Sequence, residues 1–410
     1  MTIAMKHDWQ LDLVRKVHLE LSSACNAACP NCPRFYNNSP LTRPSLVVRS
    51  ISLEEFKTWF PPSFIKQLSE FDFCGNFGDP CSAPDILPIV EYLHEQNLPV
   101  LKIHSNTGMK TTKFWSRLGE LFSKHEHWNM IFSVDGLEDT NHLYRRNVKW
   151  KKVEENIKAF TQFGGLSDWD YLIFEHNEEQ IPEAKRLAKE WGVTRFVPKH
   201  PAGLDNGKES MSMPAIDKEG KLEYWIEPAR RFENKGLMHP EGHIKPNMTF
   251  RETDYDWACN SRKKDYKVGH WMSREIKVWD KATITPRCLA PINQIYIDST
   301  GTVFPCCWVG MVWPIIQDMK NIGIFSSYEY AQLWEKIDEY GLDNFDLNKH
   351  TLKDILEAGH LNKLFADTWY KPSCSEGKMA YCSKTCGGVN LLDKIYNHPD
   401  NENKEYPVYK

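Results

Sequence analysis

The order of apolar patterns along this chain predicts an α/β protein built around a parallel sheet. Through the first half, short alternating or apolar runs read as strands, and each is followed by a stretch of helical length and period. Strands separated by helices in this way form βαβ units, whose strands lie parallel. The 41% hydrophobic and 26% charged residues are proportions of an ordinary globular protein, and 410 residues suffice for one large domain and a smaller one.

Residues 17–22 alternate apolar and polar and form the first expected strand. Ser52 and Glu55 make a capping box, so a helix starts there, and Pro61 and Pro62 interrupt it. The second strand is expected at 71–74 with a helix over 84–94, the third at 100–104 with a helix near 113–122, and the fourth at 130–134 with a helix at 153–163. A fifth strand at 171–174, a helix at 179–191 and a sixth strand at 194–197 complete the series. Further on, 294–298 and 302–306 flank Gly301 as a hairpin. Helical patterns follow at 328–340 and 351–368, and the chain closes with a polar tail.

A formal net charge of −4 gives no electrostatic case for binding nucleic acid or an acidic membrane surface. There is no apolar run of about 18 residues, so no transmembrane helix is expected. The first residues lack the apolar core of a signal peptide, which makes a cytoplasmic location the expectation. Twelve cysteines in such a chain point to reduced thiols and metal binding rather than a disulfide framework. They fall into an early group at 25, 29, 32, 74 and 81 and a late group at 259, 288, 306, 307, 374, 382 and 386, which suggests two metal sites.

Cys25, Cys29 and Cys32 sit on a short loop leaving the first strand. Three thiolates can hold a [4Fe–4S] cluster by three irons and leave the fourth iron open to a substrate or cofactor. A zinc knuckle is the plainer alternative, although zinc favours paired Cys-x2-Cys units and a fourth ligand nearby. The Cys-x3-Cys-x2-Cys spacing after a first strand resembles the radical S-adenosylmethionine (SAM) enzymes. That resemblance implies a partial (β/α)6 TIM-like barrel over roughly residues 15–200, with its chemistry at the carboxyl ends of the strands. It also implies that SAM chelates the open iron and is cleaved reductively to a 5′-deoxyadenosyl radical that takes a hydrogen from substrate. An electron donor such as flavodoxin or ferredoxin would supply the reducing electron.

The resemblance extends residue by residue. Gly75, Gly78, Asp79 and Pro80 match the family's Gly-Gly-Glu-Pro motif, whose backbone and acid meet the SAM amino group; Asp79 stands where Glu is usual and Phe77 where Gly is common. Ser105, Asn106 and Gly108 look like its Thr-Asn-Gly segment, and Ser133, Asp135 and Gly136 like its Ser-x-Asp-Gly segment. A downstream arginine often pairs with the SAM carboxylate, and either Arg145 or Arg146 occupies that region, Arg145 being the one assigned. Cys74 and Cys81 read as small buried residues, with hydrogen return to a product radical as the alternative role.

Cys288, Gly301 and Cys306 fit the Cys-x(9–15)-Gly-x4-Cys signature of the SPASM/twitch extension of that family, and Cys382 and Cys386 match its final Cys-x3-Cys. Cys374 stands alone where a Cys-x2-Cys is usual, with Gly377 in its partner's place. The resemblance therefore implies a single auxiliary [4Fe–4S] cluster, a second beside the SAM-binding one, on Cys288, Cys306, Cys382 and Cys386. Cys374 is the substitute, and Cys259 and Cys307 are read as non-ligands. A structural four-cysteine zinc site is the alternative.

The domain reading is a barrel at 1–200, a segment at 201–280, a small α+β twitch-type domain with a hairpin and helices at 281–395, and a tail at 396–410. The 201–280 segment, with a basic patch at 261–267, reads as a solvated linker or as a cover over the barrel mouth. The expected function is radical SAM chemistry: oxidation, crosslinking or epimerisation of a peptide, or dehydrogenation of a small molecule. The expected start of the first strand near residue 17 leaves no room for an N-terminal peptide-binding module, which weighs against the peptide. A non-radical iron–sulfur or zinc protein is the reading from another class, and the Gly-Asp-Pro and Ser-x-Asp-Gly loops argue against it.

Overall fold

Six parallel strands follow one another across the sheet in chain order: β1 (Lys16–Leu19), β2 (Glu70–Phe73), β3 (Val100–Ser105), β4 (Asn129–Ser133), β5 (Ser167–Leu172) and β6 (Arg195–Lys199). The computed structural model describes residues 9–36, 40–199, 201, 212–229, 280–289, 292–323, 325 and 327–387. Cys259, the basic patch at 261–267 and the tail at 396–410 lie outside the described residues.

Between the strands run α1 (Leu53–Trp59), α2 (Pro62–Ile65), α3 (Ile86–Glu95), α4 (Thr112–Phe122), α5 (Asn141–Tyr144), α6 (Trp150–Thr161) and α7 (Ile181–Glu190). The capping box on α1 forms as expected, with Ser52 and Glu55 each bonding the other's backbone. Val17, Leu19, Phe71, Phe73, Leu101 and Ile103 are fully buried on the apolar face of the sheet. On the other face the strands carry ion pairs: Lys16 lies 2.7 Å from Glu70 and 3.2 Å from Asp72, and His104 lies 3.4 Å from Asp72.

That polar face explains why β5 lies earlier than expected. The run at 171–174 is the most apolar stretch of this region, but the strand is Ser167–Leu172 and includes only its first two residues. Its Asp168 and Asp170 face Arg195 and Lys199 of β6, so the alternation there is charged rather than apolar.

The hairpin of β9 (Gln294–Ile297) and β10 (Val303–Phe304) is not a sheet of its own. β9 pairs in parallel with β1, Val17 opposite Ile295, and extends the sheet to eight strands in the order β10-β9-β1-β2-β3-β4-β5-β6. The free edge of β1 is covered in this way. The sheet has β10 and β6 at its edges and does not close into a barrel.

A second, two-stranded sheet, β7 (Met213–Ile216) and β8 (Leu222–Ile226), arises where periodicity fades in the sequence. It is fastened beside the end of β5, where Tyr224 Oη donates to the Leu143 carbonyl at 2.8 Å and Phe174 bridges to Pro228.

After the hairpin comes α8 (Cys307–Asn321), which the sequence pattern hides because Pro314 lies inside it. It packs across β9 so closely that a side chain on Gly310 would overlap the Tyr296 ring. The helix α9 (Tyr328–Tyr340) is as expected. The helix expected at 351–368 is broken into α10 (Leu352–Glu357), α11 (His360–Leu364) and a 3-10 turn at Ala366–Thr368. Gly359 divides it at φ +72, a conformation that suits glycine. The last helix is α12 (Ala380–Cys386). Among the described residues no helix is long and apolar enough to cross a membrane.

Candidate active site

The Cys25–Cys32 loop leaves the carboxyl end of β1 and is fixed by its neighbours as well as by itself. Cys32 N–H donates to the Cys29 carbonyl at 3.2 Å, and Ala28 N–H to the Arg146 carbonyl at 3.0 Å. Three N–H groups point at sulfur: Ala27 N and Asn106 Nδ2 reach Cys25 Sγ at 3.3 and 3.5 Å, and Arg145 Nη1 reaches Cys29 Sγ at 3.8 Å. Donors aimed at sulfur suit thiolates, so this donor set fits a cluster held by three cysteines. Burial pushes all three thiols up, Cys32 to about 12, and the Arg145 guanidinium works in the opposite sense on Cys29. Among the described residues no set of three or more His, Cys, Asp or Glu side chains closes on a single ion's position. The case for a cluster therefore rests on the loop and its donors, not on a preformed cage.

The loop following β2 lies directly against this one. A side chain on Gly78 would overlap the Ser22 carbonyl, so glycine is required for the approach. Asp79 N–H donates to the Ala24 carbonyl at 2.9 Å, joining the two loops. The Asp79 carboxylate is buried and occupied by its own chain: Oδ2 accepts from Ser105 Oγ at 3.0 Å and from Asn106 N at 2.8 Å, and Oδ1 accepts from Cys81 N at 2.9 Å. Burial raises its pKa against the pull of these donors. Asp79 thus ties the ends of β2 and β3 together, a use that the motif alone does not reveal.

Ser105, Asn106 and Thr107 turn sharply at the end of β3. Thr107 is fully buried at φ +63, which for a β-branched residue is strained by roughly 1–3 kcal/mol. Asn156 Nδ2 holds that turn from outside by donating to the Thr107 carbonyl at 2.7 Å. Asn106 Nδ2 also donates to Asn26 Oδ1 at 2.8 Å, so β3 meets the cysteine loop directly.

Ser133 ends β4 opposite Asp170 of β5. Asp135 is fully buried and accepts from Arg145 Nε at 2.5 Å and from Leu172 N at 2.7 Å. Burial opposes the charge on Arg145, but Asp135 and Cys29 beside it hold the guanidinium above its ordinary range. The two arginines left open by the sequence separate here. Arg145 turns to Asp135 and Cys29, whereas Arg146 pairs with Glu223 and donates to the Ile216 carbonyl at 2.9 Å.

A residue the sequence reading passed over lies beneath these loops. Glu20 is 1% exposed; its Oε1 accepts from Phe77 N at 2.7 Å and Gly78 N at 3.0 Å, and its Oε2 from Tyr296 Oη at 2.8 Å. Burial pushes its carboxyl up to about 7 despite those three donors. An acid on the polar side of the first alternating strand, five residues before Cys25, was the available signal.

The late cysteines gather from separate segments. Gln294 N–H donates to the Cys288 carbonyl at 2.8 Å, and Thr285 N–H to the Cys386 carbonyl at 2.9 Å. Burial first, then Cys382 and Cys386 nearby, raise the Cys288 thiol; burial first, then Cys288, Cys307 and Cys382, raise that of Cys306. Cys374 faces elsewhere: its N–H donates to Asp280 Oδ1 at 2.7 Å, and its thiol reaches the Asp280 carbonyl at 3.9 Å. Cys307 also has Asp72 and Lys16 of the sheet's polar face as neighbours. Cys74, at the end of β2, has Asp72, Cys307 and Glu20 as neighbours.

An AdoMet-dependent heme synthase of Methanosarcina barkeri is 20% identical over 331 residues, covering 80% of this chain and 83% of that protein. Over most of its length the chain is thus similar to a radical SAM enzyme. No family model matches it. Among solved structures, Streptococcus suis SuiB bound to precursor peptide SuiA aligns with a TM-score of 0.44 at 13% identity, over 74% of this chain and 61% of that one. The chain thus spans about three fifths of SuiB. BtrN in complex with AdoMet and 2-DOIA aligns with a TM-score of 0.32 at 13% identity, over 84% of this chain and 92% of that one.

Proposed function

We propose that this protein is a radical SAM enzyme that binds SAM at the Cys25, Cys29 and Cys32 loop and abstracts a hydrogen atom from a substrate held over the polar face of the sheet. When bound, SAM and its cluster together supply the 5′-deoxyadenosyl radical. The observation that carries the reading is the convergence of four strand ends on one loop, with Asn106 and Arg145 donating to its sulfurs.

Each residue then has a part. Cys25, Cys29 and Cys32 would hold the cluster, while Asn106 and Arg145 would lower the energy of the thiolates. Gly78 lets the 75–79 loop, read as meeting the SAM amino group, pack against the Ser22–Ser23 backbone, and Asp79 fixes Ser105 and Asn106 beside it. Ser133 closes the β4 end of the pocket. Asp135 orients Arg145, whose remaining N–H groups suit the SAM carboxylate.

Cys288, Cys306, Cys382 and Cys386 are proposed to hold one auxiliary [4Fe–4S] cluster in a twitch-type arrangement. A metal centre held there would supply an electron acceptor, which would suit net oxidation of the substrate. The substrate reading is a peptide that is oxidised, crosslinked or epimerised. Dehydrogenation of a small metabolite is the second reading, favoured by the curated relative's name as a heme synthase. Flavodoxin or ferredoxin is the proposed electron donor.

Metal analysis after strictly anaerobic reconstitution tests this. About eight irons with matching sulfide, and 5′-deoxyadenosine formed on adding SAM and a strong reductant, are expected. About four irons would remove the auxiliary cluster from the reading. Zinc without sulfide would overturn it entirely.

A further inference from the structure

We infer that Glu20 is a positioning residue for SAM, and that Tyr296 sets its orientation from the hairpin that precedes Cys306. The inference rests on the reading of the 75–79 loop as SAM-binding. It starts from two consecutive amides, Phe77 N at 2.7 Å and Gly78 N at 3.0 Å, both directed at Glu20 Oε1. In a trans peptide the N–H and C=O point in opposite directions. Turning these two N–H groups onto the carboxylate therefore turns the carbonyls of Asn76 and Phe77 away from it, as acceptors for a donor on the other side of the loop.

This matters because the Asp79 carboxylate already has three protein donors. An ammonium donor meeting this loop is then best served by backbone carbonyls, and their direction is what Glu20 controls. Gly75 completes the fit: a side chain there would lie 3.2 Å from Glu20 Oε1 and closer still to the Gly78 carbonyl.

Glu20 is itself held at two points on β9. Its backbone N–H donates to the Ile297 carbonyl at 2.9 Å, and its Oε2 accepts from Tyr296 Oη at 2.8 Å. Tyr296 is fully buried, T-stacked on His18 at 5.1 Å and pressed against Gly310 of α8. Cys306 lies immediately before α8, so one buried carboxylate joins the SAM loop to the element carrying a late cysteine.

The test is SAM binding by the reconstituted full chain, read as Kd by equilibrium dialysis and as the change in the reduced cluster's electron paramagnetic resonance spectrum on adding SAM. Glu20→Ala leaves two amides and a phenol unpaired and is expected to raise the SAM Kd about tenfold or more at unchanged first-site iron. Glu20→Gln keeps one oxygen for both amides and lets its NH2 donate to the Tyr296 hydroxyl, so its Kd stays within about threefold of the parent. Parental Kd and spectrum in Glu20→Ala would overturn the inference, and Gln behaving as Ala would overturn its acceptor geometry. Where Glu20→Ala fails to hold iron, Tyr296→Phe decides. A Kd raised about threefold with an altered SAM-bound spectrum supports the link, and no change in either overturns it. A parent chain that binds no SAM would overturn the underlying reading as well.

Discussion

Cys25, Cys29 and Cys32 come from one turn of chain leaving one strand, whereas Cys288, Cys306, Cys382 and Cys386 come from three separate segments. In the first group the covalent chain sets the spacing, and the ends of β1, β2, β3 and β4 only brace it. In the second, Cys382 and Cys386 lie one helical turn apart on α12, but Cys288 and Cys306 reach them through the pairing of β9 with β1 and the bridge from Ile284 to Gly387. A local site survives whatever leaves its strand ends in place. A dispersed one depends on every contact that brings its segments together.

Substitutions at the two groups test that contrast most strongly. Cys29→Ala is expected to abolish 5′-deoxyadenosine formation and remove about four irons. Formation at the parental rate would break the assignment of the local site. Cys288→Ala should remove about four irons as well, yet leave SAM cleavage running. Loss of all iron in that variant would mean that the two groups are one structural unit.

The arginines sharpen the comparison within the first site. Arg145→Ala leaves Asp135 buried without its cationic partner and should lower stability by roughly 3–5 kcal/mol, measured by denaturant unfolding. Arg146→Ala removes a pair whose acid is 40% exposed and should change it by less than about 1 kcal/mol. Equal losses would erase the distinction the geometry draws between them.

Glu20 supplies the pH dependence. Its folded pKa, about 7, lies above the ordinary 4.5, so the folded chain binds this proton more tightly than the unfolded one. The contribution is fully present below the ordinary value and is lost as pH rises through the folded one, on the order of 3 kcal/mol across the window. Stability of the parent relative to Glu20→Gln should therefore fall between those values, and a parallel pair of curves would show an ordinary carboxyl. The smallest effect is expected at Cys374, which faces Asp280 and not the other late thiols. Cys374→Ser should leave iron content unchanged, and a loss of about four irons would add Cys374 to the auxiliary ligands.

The strand order, the helix starts and the early cysteine loop were legible because short-range patterns specify them: alternation, a capping box and fixed spacing along the chain. Strand β5 was displaced and α8 missed for the same reason in reverse. Charges on the polar face replaced the apolar signal in Asp168 and Asp170, and Pro314 masked the helix.

The sequence by itself determined the alternation of strands and helices, the three-cysteine loop and the glycine of the late hairpin. Only the tertiary structure decided that this hairpin continues the main sheet, that Arg145 and not Arg146 turns to the cysteines, that Cys374 faces away, and that Glu20 lies under the 75–79 loop. These depend on which strand edge meets which, and on burial, which forces each polar group to find a partner. Such partners lie far apart in the chain, as Tyr296 lies 276 residues from Glu20, beyond the reach of any local pattern.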